Sequence, residues 1–137
     1  MGSDAEGLFR RLLDGIAKGD WSNLAELYAD DALVVIPFAG IDGLRLEGRE
    51  AIADHFARAS AAPFSIKPTN VRIHRTEDSE AIVGEFDYEL VARDGTVRGV
   101  VPNIQWLKAK DGLIVQSRDY HHHEAIAAAA QSALAEA

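Results

Sequence analysis

The chain has 137 residues, with 14 lysines and arginines against 22 aspartates and glutamates, a formal net charge of −8 and no cysteine. This length predicts one domain over residues 1–137, and the acidic balance argues against nucleic acid and anionic membranes, which bind through clusters of Lys and Arg. The absence of cysteine excludes disulfides and thiolate chemistry. No stretch approaches the ~20 apolar residues of a membrane span and the N-terminus is polar, so a cytoplasmic protein is expected.

The first half of the sequence has the periodicity of helices. Apolar residues recur at helical spacing from Leu8 to Ile16, and Gly19 follows as a stop signal. A second, shorter helix is predicted after Asp20; it ends at the acidic pair 30–31 and is followed by a short strand over 33–36. Residues 40–48 are predicted as a loop, and a third helix is predicted from Arg49 to Ala59.

The second half changes to the two-residue alternation of strands. Residues 81–92 place apolar side chains on one side and acidic ones, including Glu85 and Asp87, on the other, which predicts a solvated acidic edge. Asp-Gly dipeptides at 94–95 and 111–112 predict tight turns. We therefore predict an α+β fold in which a cone-shaped, curved antiparallel or mixed sheet packs against three N-terminal helices. Such a cone leaves a cavity for a ligand.

The strand over residues 100–107 is apolar on both faces. One parity carries Val100, Ile104 and Trp106, and the other carries Val101 and Leu107. Helices can cover one face, and we expect a second copy of the chain to cover the other, which predicts a homodimer.

The end of the chain, after residue 123, is rich in alanine. Alanine favours helix, so a C-terminal helix is predicted, although its apolar stripe is weak. We expect a solvated tail; the alternative is a lid over the cavity.

The last strand carries the best candidates for chemistry. With Leu113 and Val115 facing inward, Asp119 and His121 take the same face, roughly 6.5–7 Å apart. Desolvation raises the pKa of a carboxyl group towards neutrality, where histidine already titrates. We therefore predict Asp119 as a general acid or base and His121 as its partner or as a ligand hydrogen-bond donor. The alternative is a polar, solvent-facing exit from the sheet.

Four further residues are candidates for ligand binding. Phe38, Tyr88 and Trp106 could line a pocket for a flat apolar ligand, and His55 lies at the edge of the third helix. The alternative is the commoner one: aromatic side chains at such positions are more often plain core, and a histidine such as His55 is more often a half-buried core residue. We predict that a small molecule is the ligand.

The histidine run 121–123 invites a metal hypothesis. Alternate side chains on a strand diverge, so only His121 and His123 could converge, and a third ligand such as His55 or His74 would have to come from elsewhere. We predict no metal site and no cofactor.

Several short motifs occur in a fixed order along nearly the whole chain. They are Gly19-Asp20-Trp21, Leu27-Tyr28-Ala29-Asp30-Asp31-Ala32, Leu46-Glu47-Gly48-Arg49-Glu50-Ala51-Ile52, Asp111-Gly112-Leu113-Ile114 and Ser117-Arg118-Asp119-Tyr120. In these motifs the sequence resembles the nuclear-transport-factor-2-like superfamily, and within it the SnoaL-like proteins, a group that includes polyketide cyclases, ketosteroid isomerase and limonene-epoxide hydrolase. The resemblance implies the cone-shaped fold.

Catalytic residues of these relatives carry over only in part. The base, the tyrosine and the protonated aspartate of ketosteroid isomerase fall here on Ile36, on Leu12, and on Asn103 or Ile104. In limonene-epoxide hydrolase the last aspartate of an Asp-Arg-Asp set has the Arg-Asp-Tyr context of Asp119. The other aspartate of the hydrolase falls on Asp87 and its arginine on Glu85. The tyrosine and asparagine that position its water fall on Val34 and Ile36. SnoaL-like cyclases rely on one pocket aspartate, which the resemblance assigns to Asp119.

Two functions are compatible with this sequence. The first is a cofactor-free acid/base enzyme of the isomerase, cyclase or hydrolase type, acting on a small hydrophobic substrate, cyclic or open-chain, through Asp119 and His121. The alternative is a non-catalytic ligand-binding or dimerisation module on the same fold. Loss of the two best-defined catalytic sets favours the module. The Asp119 and His121 pair in an apolar frame favours the enzyme, and the prediction leans to the enzyme.

Overall fold

The computed structural model describes residues 4–135, with side chains as far as residue 131. In chain order the elements are α1 (Asp4–Lys18), a 3-10 helix (Trp21–Leu27), β1 (Tyr28–Ile36), β2 (Leu44–Glu47), α2 (Arg49–Ala59), β3 (Phe64–Arg75), β4 (Ala81–Ala92), β5 (Val97–Lys110), β6 (Leu113–His121) and α3 (His123–Ala135). The strands form one sheet in the order β2-β1-β6-β5-β4-β3, antiparallel except between β1 and β6. The predicted α+β fold with a curved mixed sheet is confirmed.

Helix α1 packs against the inner face of the sheet through an aromatic contact. A Cβ atom at Gly84 in β4 would lie only 2.3 Å from the Phe9 ring, so the missing side chain at position 84 makes room for that ring. Phe9 also meets the Phe86 ring edge to face, with centroids 5.5 Å apart. This contact fixes how α1 sits over the sheet.

Two local predictions in the first half are wrong. The second helix is a 3-10 helix that ends at Leu27, so the acidic pair 30–31 lies within β1. The guanidinium of Arg49 at the start of α2 donates two hydrogen bonds to the Tyr28 carbonyl, at 2.9 and 2.7 Å, and pairs with Asp30 at 2.7 Å. These contacts hold the chain extended from residue 28. The predicted loop 40–48 contains β2, which pairs with β1, whereas α2 has its predicted bounds.

A bulge in β6 corrects the assignment of its inner face. Ala109 pairs with Ile114 but Lys108 pairs with Gln116, so Val115 is an extra residue. The buried residue before the bulge is Ile114, not its neighbours on either side, contrary to the sequence prediction. After the bulge the odd-numbered residues face inward. The inward face of Asp119 therefore depends on the bulge.

The inner face of the sheet is covered at β5 by helix α3, whereas apolar side chains on the outer face of β5 are exposed. Helix α3 packs over β5, with Ala129 buried beside Gly99, so the prediction of a solvated tail is wrong for the described part of this helix.

On the outer face Val100 and Ile104 are 56% and 46% exposed, while Val101 on the inner face is buried. Within residues 4–135 no helix combines the length and apolarity of a membrane span.

Candidate functional site

A cavity of about 220 Å³ lies between the inner face of the sheet and the helices. Its apolar wall comes from α1, α2, β1 and β3, and Ile126 of α3 contributes to one side. The polar residues that line it are Tyr28, His55, Tyr88, Gln105, Asp119, His121 and His123. No lysine or arginine is among its lining residues in the described chain. The cavity is therefore an apolar space with a few polar groups, as small-molecule sites usually are.

Asp119 lies at the end of a chain of two hydrogen bonds on the inner face. Gln105 Nε2 donates to Ser117 Oγ at 3.0 Å, and the Ser117 hydroxyl donates to Asp119 Oδ1. Burial raises the pKa of Asp119 to about 7, and the Ser117 hydrogen bond offsets part of this effect because it favours the ionised form. Asp119 Oδ2 has no hydrogen-bond partner among the described residues. The carboxyl group thus has one fixed oxygen and one oxygen free for a ligand, and it changes charge near neutral pH.

His121 is half-buried on the same wall. Its Nδ1 lies 2.7 Å from Asn103 Oδ1, and its ring stacks on Tyr88 with centroids 5.6 Å apart. Burial, together with the nearby His123 and His55, lowers the pKa of His121 to about 4. The imidazole is therefore neutral at pH 7.

Two tyrosine hydroxyls share the cavity with Asp119. Burial raises the pKa of Tyr28 well above its usual value, with the Asp119 charge as a smaller cause, and the same two causes raise the pKa of Tyr88. Neither hydroxyl has a hydrogen-bond partner in the part of the chain that the structure describes. Both therefore stay protonated and are available to donate to a ligand oxygen.

Two further histidines line the cavity. The pKa of His55 on α2 is lowered by burial and by Arg58 and His123. His123, the first residue of α3, has a fully buried Nε2 atom without a partner among the described residues, and burial lowers its pKa. This side of the cavity therefore presents uncharged imidazoles.

Of the residues predicted from the sequence, four come together at the cavity: Asp119, His121, His55 and Tyr88. Phe38 does not line it; it is 62% exposed and its ring meets Tyr120, with centroids 5.6 Å apart. Both residues line a second, larger groove, called the outer groove below, together with Arg72, Glu85, Asp87 and Ile104. Trp106 also lies off the cavity, with the Arg118 guanidinium 5.4 Å from its ring centroid.

The acidic residues of β4 face the outer groove, which has a volume of about 590 Å³. Glu85 pairs with His74 at 2.6 Å, and Asp87 accepts a hydrogen bond from Asn70 at 2.9 Å. His74 is thereby separated from the cavity histidines. Among the described residues no group of three or more histidines and carboxylates is arranged to hold a metal ion.

Sequence reasoning missed the residues that support the acid and the imidazole. Gln105, Asn103 and Tyr28 were not predicted as site residues. Ser117 and His123 share the predicted inward face of Asp119 and His121, but neither was predicted as a site residue. A signal existed for Ser117, which stands two residues before Asp119 on the same strand. The other partners come from neighbouring strands and depend on register.

A cone-shaped α+β domain around an apolar cavity is the fold of the nuclear-transport-factor-2-like class. The sequence model of the SnoaL-like domain matches residues 9–117, and the chain belongs to this family. The chain is 29% identical over 111 residues to an uncharacterised PhzA/B-like protein of Pseudomonas aeruginosa, covering 80% of this chain and 76% of that protein.

Solved structures show the same fold. A putative isomerase from Bacillus subtilis superposes with a TM-score of 0.78 at 24% identity, over 90% of this chain and 93% of that one. A Mycobacterium tuberculosis protein in complex with estradiol-17β-hemisuccinate has a TM-score of 0.72 at 19% identity, over 90% and 97%. Relatives of this fold therefore bind small molecules, including a steroid.

Proposed function

We propose that this protein is an acid/base enzyme that moves a proton on a small, largely apolar substrate held in the cavity. The observation that carries the proposal is the Asp119 carboxyl group, which has one oxygen held by Ser117 and a pKa raised to about 7 by burial. A carboxyl group with this pKa both takes and returns a proton near neutral pH.

The proposed step is a proton transfer on a carbon acid. Ionised Asp119 takes a proton from a carbon next to a carbonyl group; the C–H bond breaks and its electron pair forms the enolate. A hydroxyl of Tyr28 or Tyr88 donates a hydrogen bond to the enolate oxygen. Protonated Asp119 then returns the proton and becomes a carboxylate again. If the enolate is conjugated with a carbon–carbon double bond, the proton goes to the far end of the conjugated system and the double bond shifts, which gives an isomer; return to the original carbon only exchanges the hydrogen. His121 assists by binding the substrate.

The cavity volume limits the substrate. About 220 Å³ is below the ~300–1,000 Å³ typical of sites for drug-sized ligands. This favours molecules with one or two rings over the four-ring skeleton of the steroid in the mycobacterial complex.

A non-catalytic ligand-binding module is the second candidate. Leu12 and Val34, at positions where catalytic groups occur in the relatives named above, line this cavity with apolar side chains. A protein that only binds its ligand needs no more than the shape and hydrogen-bonding groups of the cavity.

An exchange assay separates the two functions. We expect the wild-type protein to catalyse exchange of the α-hydrogens of 1-tetralone or cyclohexenone for deuterium in D₂O, followed by mass spectrometry. Asp119→Asn should slow this exchange by about 10²–10⁴-fold, the usual contribution of a general base. Glu85→Gln on the outer face is the matched control and should leave the rate unchanged. Saturable binding of these ketones without catalysed exchange would favour the module.

We also propose that the protein is a homodimer formed through the outer face of the sheet. The exposed Val100 and Ile104 supply apolar area beside the outer groove, which also carries Arg72, Glu85 and Asp87. Because this patch holds charges of both signs, it is suited to a two-fold contact in which each copy meets the same residues of the other.

A further inference from the structure

We propose that Asn103 is a positioning residue that fixes the proton of His121 on Nδ1, so that Nε2 faces the ligand as a hydrogen-bond acceptor and selects ligands with a hydroxyl group. This inference rests on the proposed use of the cavity as the ligand site. It adds a ligand class to that site and is independent of the role of Asp119 as acid or base.

The Asn103 side chain is held in one orientation. Its Nδ2 donates to the Val101 carbonyl oxygen at 3.0 Å, which turns Oδ1 towards His121 Nδ1 at 2.7 Å. An amide oxygen can only accept a hydrogen bond, so the hydrogen between the two groups belongs to Nδ1. Asn103 is 4% exposed, and water therefore does not compete for this contact.

Nothing around the ring favours a second proton on Nε2. His121 stacks on Tyr88 and meets Phe86 and His123 edge to face, with centroids 6.5 and 5.9 Å away. The other titratable groups lining the cavity are Tyr28, His55, Tyr88, Asp119 and His123. None of them forms a hydrogen bond or ion pair with His121 among the described residues. The ring is therefore a neutral imidazole whose Nε2 keeps its lone pair.

A lone pair on the cavity wall selects the ligand by its chemistry. An alcohol, phenol or enol supplies the hydrogen that Nε2 accepts, whereas a ketone or a carboxylate does not. The remaining wall is mostly apolar and the volume is about 220 Å³. The ligand class is therefore a neutral hydroxylated compound of one or two rings. A substrate of the proposed proton transfer that belongs to this class carries a hydroxyl group, which His121 binds, in addition to its carbonyl group.

The proton position is tested by NMR without any ligand. Long-range ¹H–¹⁵N spectra of the histidine side chains should show His121 as the Nδ1–H tautomer in the wild-type protein. Asn103→Leu, which has a similar shape and no acceptor, should shift His121 towards the Nε2–H tautomer. Asn103→Asp restores an acceptor and should restore the Nδ1–H form. A wild-type His121 in the Nε2–H or doubly protonated form at pH 7 overturns the proposal.

The ligand class is tested by binding, with 2-naphthol, 2-methylnaphthalene and 2-naphthoate as probes. The first two have nearly the same shape and differ in the hydroxyl group. We expect the wild-type protein to prefer 2-naphthol over 2-methylnaphthalene. In His121→Phe, which keeps the stacking on Tyr88, this preference should fall about five- to tenfold because one hydrogen bond is lost. An unchanged ratio, or tightest binding of 2-naphthoate to the wild-type protein, contradicts the proposal.

The same titrations in Asp119→Asn keep this proposal separate from the proposed function. Persistence of the hydroxyl preference in Asp119→Asn, with its loss in His121→Phe, identifies Nε2 as the acceptor even if no exchange activity is found. If the preference is instead lost in Asp119→Asn and kept in His121→Phe, the carboxylate is the acceptor. The proposed selection of ligands by His121 Nε2 is then overturned while the acid/base function still stands.

Discussion

At the scale of single residues, Asp119 makes the protein less stable as the pH rises. The pKa of its carboxyl group is about 7 in the folded state against 3.8 when unperturbed. Between these values the folded chain keeps a proton that the unfolded chain loses, so each pH unit costs about 1.4 kcal/mol of folding free energy. Above pH 7 the cost is complete, at most about 4 kcal/mol, and below pH 4 it is absent.

Asp119→Asn removes this cost and keeps an oxygen for the Ser117 hydroxyl. We expect the variant to exceed the wild-type protein in unfolding free energy by up to about 4 kcal/mol at pH 8 and to match it near pH 4. Guanidinium denaturation at a series of pH values measures the difference. A difference that does not change with pH would show that Asp119 has an ordinary pKa.

Ser117 tunes the same carboxyl group. Ser117→Ala removes the hydrogen bond that favours the ionised form, so the pKa of Asp119 should rise. The rate of catalysed exchange increases with pH as Asp119 ionises, and this rising part of the pH profile should move to higher pH. Carboxyl ¹³C NMR titration reports the shift directly. Ser65→Ala on β3 is the control, since the Ser65 hydroxyl donates to the Val91 carbonyl oxygen and Ser65 does not line the cavity, and it should leave the titration unchanged.

The sequence allowed Asp119 and His121 to be predicted because two-residue alternation alone places them on one face. Their partners could not be predicted because pairing depends on the bulge. A regular hairpin continued from the pair Ala109 and Ile114 would set Gln105 opposite Arg118, whereas the extra residue sets it opposite Asp119. Bulges have no reliable sequence signal, so the Gln105 and Asn103 contacts appear only in the structure.

At the scale of elements, the position of α1 over the sheet depends on the space at Gly84 that the Phe9 ring fills. Gly84→Ala places a Cβ atom 2.3 Å from the Phe9 ring, so we expect a loss of about 1–3 kcal/mol, typical of an overpacked core. Phe9→Leu in the same chain should recover part of this loss, because the two changes share one space. Gly7→Ala, on an open part of α1, is the control and should stabilise by up to about 1 kcal/mol. Thermal unfolding compares the four proteins, and equal effects at positions 7 and 84 would contradict the packing argument.

Elements with a strong pattern of their own were predicted well, and those defined by tertiary contacts were not. Helix α2 has its predicted bounds because its apolar spacing and the Gly48 before it are local signals. Strand β2 forms because its backbone hydrogen-bonds to the edge of β1, a contact between distant segments that sequence periodicity does not predict. Helix α3 has a weak apolar stripe, yet small side chains such as Ala129 let it approach Gly99 closely.

At the scale of the whole molecule, the proposed dimer predicts a mass of two chains in light scattering at micromolar concentration. Ile104→Glu places a charge within the outer face and should give the mass of one chain, because an unpaired charge is costly in an apolar interface. Ile41→Glu makes the same change at a fully exposed residue that does not line the outer groove, and it should leave the mass at two chains. A wild-type mass of one chain excludes the dimer.

The parallel pairing of β1 with β6 also affects how the molecule folds. β1 ends at Ile36 and β6 begins at Leu113, so this contact closes a long loop and is slow to form. During synthesis on the ribosome, β1 has no partner on that side until the last strand emerges and inserts between β1 and β5. That strand carries Asp119 and His121, so a partly synthesised chain lacks the residues that we propose bind the ligand. Because a ligand stabilises only the state that binds it, the proposed ligand would stabilise the complete fold and favour its formation.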